Sequence, residues 1–213
     1  MMRLFRSLLD ILLPHKERVA RTHTYTLNDL ALSPVSHPAG AQSITTLMSY
    51  RTRAVEDLIR ALKYDGSEHA ANILAEALAE YLREEIASLK AFSTRNILLV
   101  PVPLHKSRER ERGFNQVELV LRHLPAEFRN GTHARIASAL ARVRATKQQT
   151  KLSQRERLVN VKNAFALVKP DTLRNAHLIL IDDVTTTGAT LSEAARPLLA
   201  AGGVVTLLAL ARA

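Results

Sequence analysis

The chain has 213 residues, 46% hydrophobic and 23% charged, proportions typical of a globular protein rather than a fibrous or disordered one. It contains no cysteine, which excludes disulfides, thiolate metal sites and a cysteine nucleophile. The net charge of +10 is uneven: Pro103 to Arg157 carries 13 Lys and Arg against 5 Asp and Glu, a net +8 that would attract polyanions.

Met1 to Pro14, MMRLFRSLLDILLP, sets basic residues before an apolar patch. Asp10 interrupts that patch and no small-residue cleavage site follows, so the segment reads as a short amphipathic helix rather than a signal peptide. No apolar run reaches the ~18 residues of a membrane span, and a cytoplasmic protein is expected. His15 to Gly40 is polar and punctuated by Pro34, Pro38 and Gly40. THTYTL (Thr22 to Leu27) and SITTLMSY (Ser43 to Tyr50) read as two short strands of a hairpin-like lobe. The expected division is this small N-terminal lobe, residues 1–50, and a main domain, residues 51–213. His15, His23 and His37 match no zinc spacing, and no zinc is expected.

Arg53 to Tyr64 places Val55, Leu58, Ile59 and Leu62 on one helical face, and Asp65-Gly66 stops it. A longer helix is expected over Glu68 to Lys90, with Ile73, Leu74, Leu78, Leu82, Ile86 and Leu89 at spacings of three and four. Asn96 to Val100 reads as a strand. Pro101 and Pro103 cannot continue its ladder, so the chain must turn there. His105 to Arg112 carries Lys106, Arg108, Arg110 and Arg112 and reads as an anion-binding loop running into a helix, Asn115 to about His123.

Ile136 to Val143 reads as a buried strand. The basic, Gln-rich run that follows cannot bury itself, and reads as a loop that orders over an anionic ligand. Ser153 and Glu156 are spaced as a capping box for a helix reaching Asn160. Ala164 to Val168 is a short strand and Pro170 a break. After the central stretch described next, Gly202-Gly203 turns the chain into a last strand, Val204 to Leu210.

The most informative stretch is LILIDDVTTTGAT, Leu178 to Thr190. It reads as the end of a buried, parallel strand that begins at His177, then Asp182 and Asp183 at its carboxyl end, then a polar turn. Leu191, Ala194, Ala195, Leu198 and Leu199 continue as a helix. In an open α/β sheet ligands sit beyond the carboxyl ends of the strands. Backbone N–H groups at the helix start, close approach at Gly188 and threonine hydroxyls form a phosphate cradle. Two adjacent carboxylates would repel that phosphate, and suit ribose hydroxyls or a divalent cation beside it.

This pattern resembles the phosphoribosyl-pyrophosphate (PRPP) binding motif of type I phosphoribosyltransferases. Four blocks together resemble the ComF family of phosphoribosyltransferase-like proteins: SYRTRAVEDLIRALKYDG, LVPVPLHKSRERERGFNQ, RVRATKQQTKLSQRERLVNVKNAF and LILIDDVTTTGAT, spanning Ser49 to Ala213. Family members commonly begin with a four-cysteine zinc module, from which this chain departs. The resemblance implies an α/β type I phosphoribosyltransferase fold, with a central, mostly parallel sheet flanked by helices and a small N-terminal lobe. It implies that Asp182 and Asp183 hold the ribose hydroxyls and that Thr185, Thr186, Thr187, Gly188, Ala189 and Thr190 hold the 5′-phosphate. Pro101, Val102, Pro103, Leu104, His105 and Lys106 correspond to the pyrophosphate-side loop. Arg108, Arg112, Arg142, Arg144, Gln148 and Gln149 are candidates for a basic or closing surface. Mg²⁺ is expected to arrive with PRPP, with Asp182 and Asp183 as candidate ligands. Two functions follow: phosphoribosyl transfer to an acceptor, or a non-catalytic role in competence and DNA uptake with single-stranded DNA or competence-machinery proteins as partners.

Overall fold

In the computed structural model, residues 20–39, 41–145, 160–168 and 173–213 are described. A six-stranded sheet forms the centre, in the order β1-β2-β8-β7-β3-β4. Its strands are β1 (Val35–Ala39), β2 (Gln42–Ser49), β3 (Asn96–Pro101), β4 (Arg135–Ile136), β7 (Ala176–Thr185) and β8 (Val204–Arg212). All neighbours pair in parallel except β1 with β2. A separate two-stranded sheet joins β5 (Leu140–Arg142) to β6 (Phe165–Leu167).

Both faces of the central strand are covered, which explains its unbroken apolar run. Ile179 and Ile181 point into a core with α1 (Arg53–Asp65), α2 (Glu68–Phe92) and α4 (Gln116–His123). Leu178 and Leu180 point into a second core with α5 (Ala189–Ala200). A further helix, α3 (Lys106–Arg112), contributes nothing buried to either.

The helix boundaries follow from capping. Gly66 ends α1 at φ +58°, and a Cβ there would come within 3.0 Å of the Phe114 ring. Ser67 caps α2 by accepting the Ala70 N–H at 3.2 Å. Asn115 caps α4, accepting from Val117 N–H at 2.9 Å and Glu118 N–H at 3.3 Å. Its amide also donates to the Val102 carbonyl at 3.0 Å, tying the end of β3 to the start of α4.

Several sequence expectations are corrected. Thr22 to Leu27 is not a strand: it leaves a helical turn and enters a 3-10 turn at Leu27–Asp29. Asp29 takes both the Thr26 N–H and its hydroxyl, at 2.8 and 3.0 Å. Arg21 and Tyr25 each reach Asp57 on α1 at 3.1 Å. The polar alternation there reflects side chains anchoring the segment, not a ladder. The hairpin forms one element later, between β1 and β2, and β2 continues the main sheet through β8.

Ile136 to Val143 is not one strand. Ala137 donates to Leu99 in the main sheet at 2.9 Å, whereas Ala139 accepts from Val168 at 2.9 Å, so the chain changes sheets at Ser138. His105 to Arg112 is not an extended loop: Lys106 to Arg112 forms α3, capped by His105 and ended by Gly113 at φ +84°. The helices expected over 1–14 and from Ser153, the closing loop and the break at Pro170 lie outside the described residues.

Candidate functional site

β3 and β7 lie side by side, but the chain leaves them in opposite directions. From β3 it passes through α3 and α4 to β4, and from β7 through α5 to β8 on the other side. That reversal opens a crevice beyond the carboxyl ends of the two strands. Prolines deepen it. Pro101 pairs with Ile181, Val102 donates to the Ile181 carbonyl at 2.9 Å, and Pro103 has no N–H to extend the ladder. β7 runs on to Thr185, paired only with β8. Asp182 and Asp183 therefore sit where one neighbouring strand has ended.

A cleft of about 310 Å³ occupies this place. It is lined by Val102, Pro103 and Leu104, by Asp182 through Thr190, and by Tyr50, Lys63, Tyr64, Arg108, Arg112, Gln116, Arg142 and Ala213. Most of the sequence-predicted residues thus converge. Pro101 is buried in its strand, and Lys106 is exposed outside the lining. His105 caps α3, its ring nitrogen accepting from the Ser107 N–H at 3.2 Å. Arg144 instead donates to the Asn160 and Lys162 carbonyls at 2.8 and 2.6 Å. Gln148 and Gln149 lie outside the described residues.

The acidic pair is divided by strand alternation, since adjacent side chains face opposite sides of a sheet. Asp183 faces the α1 and α4 side and is 5% exposed. One carboxylate oxygen meets the Lys63 ammonium at 3.1 Å and the Val184 N–H, and the other accepts from the Gln116 amide at 2.6 Å. Burial alone would lower the Lys63 pKa, but Asp183, with smaller help from Asp182, raises it above the usual lysine value. Asp182 faces the other way. Burial first, and then the Asp183 carboxylate, push its carboxyl up to about 7, against the Asp183 N–H, Lys63 and Arg142.

The turn after β7 is organised by its own hydroxyls. Thr185 Oγ1 accepts the Gly188 N–H at 3.1 Å and Thr187 Oγ1 the Ala189 N–H at 3.4 Å. Gly188 is required twice over: its φ is +79°, and an added Cβ would overlap Ile44 and press on Ala39. α5 begins directly behind it with no acidic residue in its first turn, which leaves the positive helix end available to an anion.

The opposite wall is cationic. Arg108 and Arg112 lie one turn apart on α3, and are its only partly shielded residues. Arg142 enters from β5, its guanidinium 5.2 Å from the Phe165 ring centroid. Four cations line the cleft against two carboxylates. Lys63, Gln116, Tyr50 and Tyr64 were not singled out from the sequence. Lys63 and Tyr64 sit in an otherwise ordinary amphipathic helix, Tyr50 just before it, and Gln116 in what reads as a helix start. Their only sequence signal is membership of the blocks shared with the family.

The donor set bears on Mg²⁺. Both oxygens of Asp183 are engaged, and among the described residues no group of three or more His, Asp or Glu is placed to hold a metal. The residues therefore do not fit an all-protein cage. One carboxylate, Asp182, is the protein donor that would face a divalent ion whose other ligands came from a bound phosphate or water. Among the described residues no helix is long and apolar enough to cross a membrane.

No family model matches the chain. It is 36% identical over 170 residues to DNA utilization protein YhgH of Escherichia coli, covering 78% of this chain and 69% of that protein. It is 40% identical over 113 residues to competence protein ComFC of Bacillus subtilis, covering 53% of this chain and 42% of that one. Competence protein F of Haemophilus influenzae is 37% identical over 96 residues, 45% of this chain and 41% of that protein. With these relatives and a mostly parallel sheet ending in the DDVTTTGAT turn, the chain belongs to the ComF family.

Proposed function

We infer that the cleft binds a 5-phosphorylated ribose carrying a diphosphate, PRPP or a close analogue, and that the protein serves a competence-linked, DNA-utilization role through it. The observation that carries this is the pairing of two walls across one crevice. A hydroxyl-rich helix N-terminus suits a terminal phosphate, and Arg108, Arg112 and Arg142 face a second anionic group. Asp182, between them, accepts ribose hydroxyls when ionised.

Phosphoribosyl transfer builds positive character on the anomeric carbon and negative charge on departing diphosphate, so the protein's task is electrostatic. The threonine turn holds the phosphate end, the α3 arginines and Arg142 stabilise the leaving charge, and Asp182 faces the sugar. Mg²⁺ bound to the diphosphate would neutralise part of its charge. Asp183 acts through Lys63 and Gln116 rather than on the ligand.

Saturating PRPP with Mg²⁺, at about 100 times its Kd, is expected to stabilise the protein by about 2.7 kcal/mol. That corresponds to a Tm rise of roughly 5–10 °C for a chain of this size. Asp182→Asn should reduce the rise to near zero, and an unchanged Tm for the wild type at millimolar PRPP refutes the reading. A second reading, single-stranded DNA binding without catalysis, is favoured by Lys106 and Arg110, which are exposed away from the cleft lining. An oligonucleotide included in the same assay separates the two, because its effect would fade steeply between 50 and 200 mM salt.

A further inference from the structure

We propose that Gln116 is a positioning residue that holds α3 over the cleft as a diphosphate-binding arm. The identity of the ligand rests on the function inferred above; the mechanical link does not.

α3 has seven residues and buries none of them. A helix this short is not stable on its own, and it has no apolar face to dock. What shielding it has belongs to Arg108 and Arg112, which share one face at a spacing of four. Among the described residues, its polar tie to the protein interior is a bond from Arg112 Nη1 to Gln116 Oε1 at 2.6 Å. Gln116 is 6% exposed, and its amide nitrogen donates in turn to Asp183 at 2.6 Å. Asp183 is held from the far side by Lys63. A continuous polar chain therefore runs from α1 through β7 and α4 to α3.

The chemistry at position 116 is unusually restrictive. A guanidinium only donates, and an ionised carboxylate only accepts. The group between them must accept on one side and donate on the other, which fixes the amide in a single orientation and excludes a flip. Glutamate would set a second carboxylate against Asp183, leucine would satisfy neither partner, and asparagine is one methylene short. A guanidinium carries five donors, so one bond to Gln116 fixes Arg112 without exhausting it. With Arg108 on the adjacent turn, α3 then offers two planar forks, the arrangement suited to the several oxygens of a diphosphate.

The test uses Gln116→Leu and Arg112→Met in the full chain, singly and together. Arg112→Met leaves the buried Gln116–Asp183 bond in place, so it reports on the arm even if Gln116→Leu fails to fold. Amide hydrogen exchange over residues 106–112 should rise about fivefold or more in both single variants, with α2 unchanged. By calorimetry, inorganic pyrophosphate should bind about tenfold more weakly in Gln116→Leu and at least as weakly in Arg112→Met, which also loses one fork, and the double variant should be no weaker than Arg112→Met alone, because Gln116 acts only through Arg112. Ribose 5-phosphate should bind within about twofold of wild type. Unchanged exchange over α3 in Arg112→Met overturns the link, and parallel losses of both ligands reduce Gln116 to a purely structural residue. If the wild type binds neither ligand, the functional reading and the diphosphate role fall together, while the exchange result still decides whether Gln116 holds α3.

Discussion

The two walls of the cleft are built in opposite ways. The threonine wall is a single run of chain, Thr185 to Thr190, whose shape is set by backbone dihedrals and by hydroxyls that bond to N–H groups two or three residues ahead. The cationic wall is gathered from α1, α3, α4 and β5, and although Arg112 reaches Gln116 over only four residues, the bond that ties both to the sheet is long in sequence, 67 residues for Gln116 to Asp183. The first wall is local geometry and fails as a unit. The second depends on buried polar contacts and should fail one bond at a time.

The largest effect is expected from breaking the cationic wall at its root. Lys63→Met leaves the buried Asp183 carboxylate without its counter-charge, and truncating one partner of a buried pair costs about 3–5 kcal/mol. Urea unfolding should show this as a lower midpoint at unchanged m-value. A loss below about 1 kcal/mol, the range of exposed pairs, would mean that Lys63 does not anchor that wall.

Gly188→Ala attacks the other wall. It combines a strained left-handed residue with overlap onto Ile44, together about 2–4 kcal/mol. It should also abolish ribose 5-phosphate binding while leaving pyrophosphate binding measurable. Equal losses of both ligands would contradict the separateness of the walls.

A pH-dependent effect, smaller than the others over any single pH unit, lies between them, at Asp182. Its carboxyl, pushed up to about 7 from the ordinary 3.8, means that the folded state holds a proton the unfolded state releases across that window. Stability should therefore fall as pH rises from about 4 to 7 and level off above, by at most about 1.4 kcal/mol per pH unit. Thermal melts of wild type against Asp182→Asn, without metal, check this: the difference between them should carry the slope. A difference independent of pH would show that Asp182 titrates normally.

How much could be read in the sequence follows the same division. The turn at Thr185 to Thr190 was legible because strand, glycine, threonines and helix are contiguous and each has a local reason to be there. Pro101 and Pro103 announced the end of β3 for an equally local reason, the missing N–H. Lys63 and Gln116 were not legible as site residues, since nothing within a turn of either separates them from any other polar residue on an amphipathic helix. Asp182 and Asp183 were read as a pair acting together, and only their place on a strand with both faces covered sends them to opposite sides. Thr22 to Leu27 misled because anchoring side chains can alternate as a strand does. Ile136 to Val143 misled because a change of sheet partner leaves no mark in a run of small residues.

The central claim is that two differently built walls grip one ligand, and calorimetry on the wild-type chain tests it most directly. Titrations of PRPP, ribose 5-phosphate and inorganic pyrophosphate should each give a single site, with PRPP tighter than either fragment by about tenfold or more, or 1.4 kcal/mol. PRPP binding no tighter than ribose 5-phosphate would contradict it, because the cationic wall would then contribute nothing to holding the ligand.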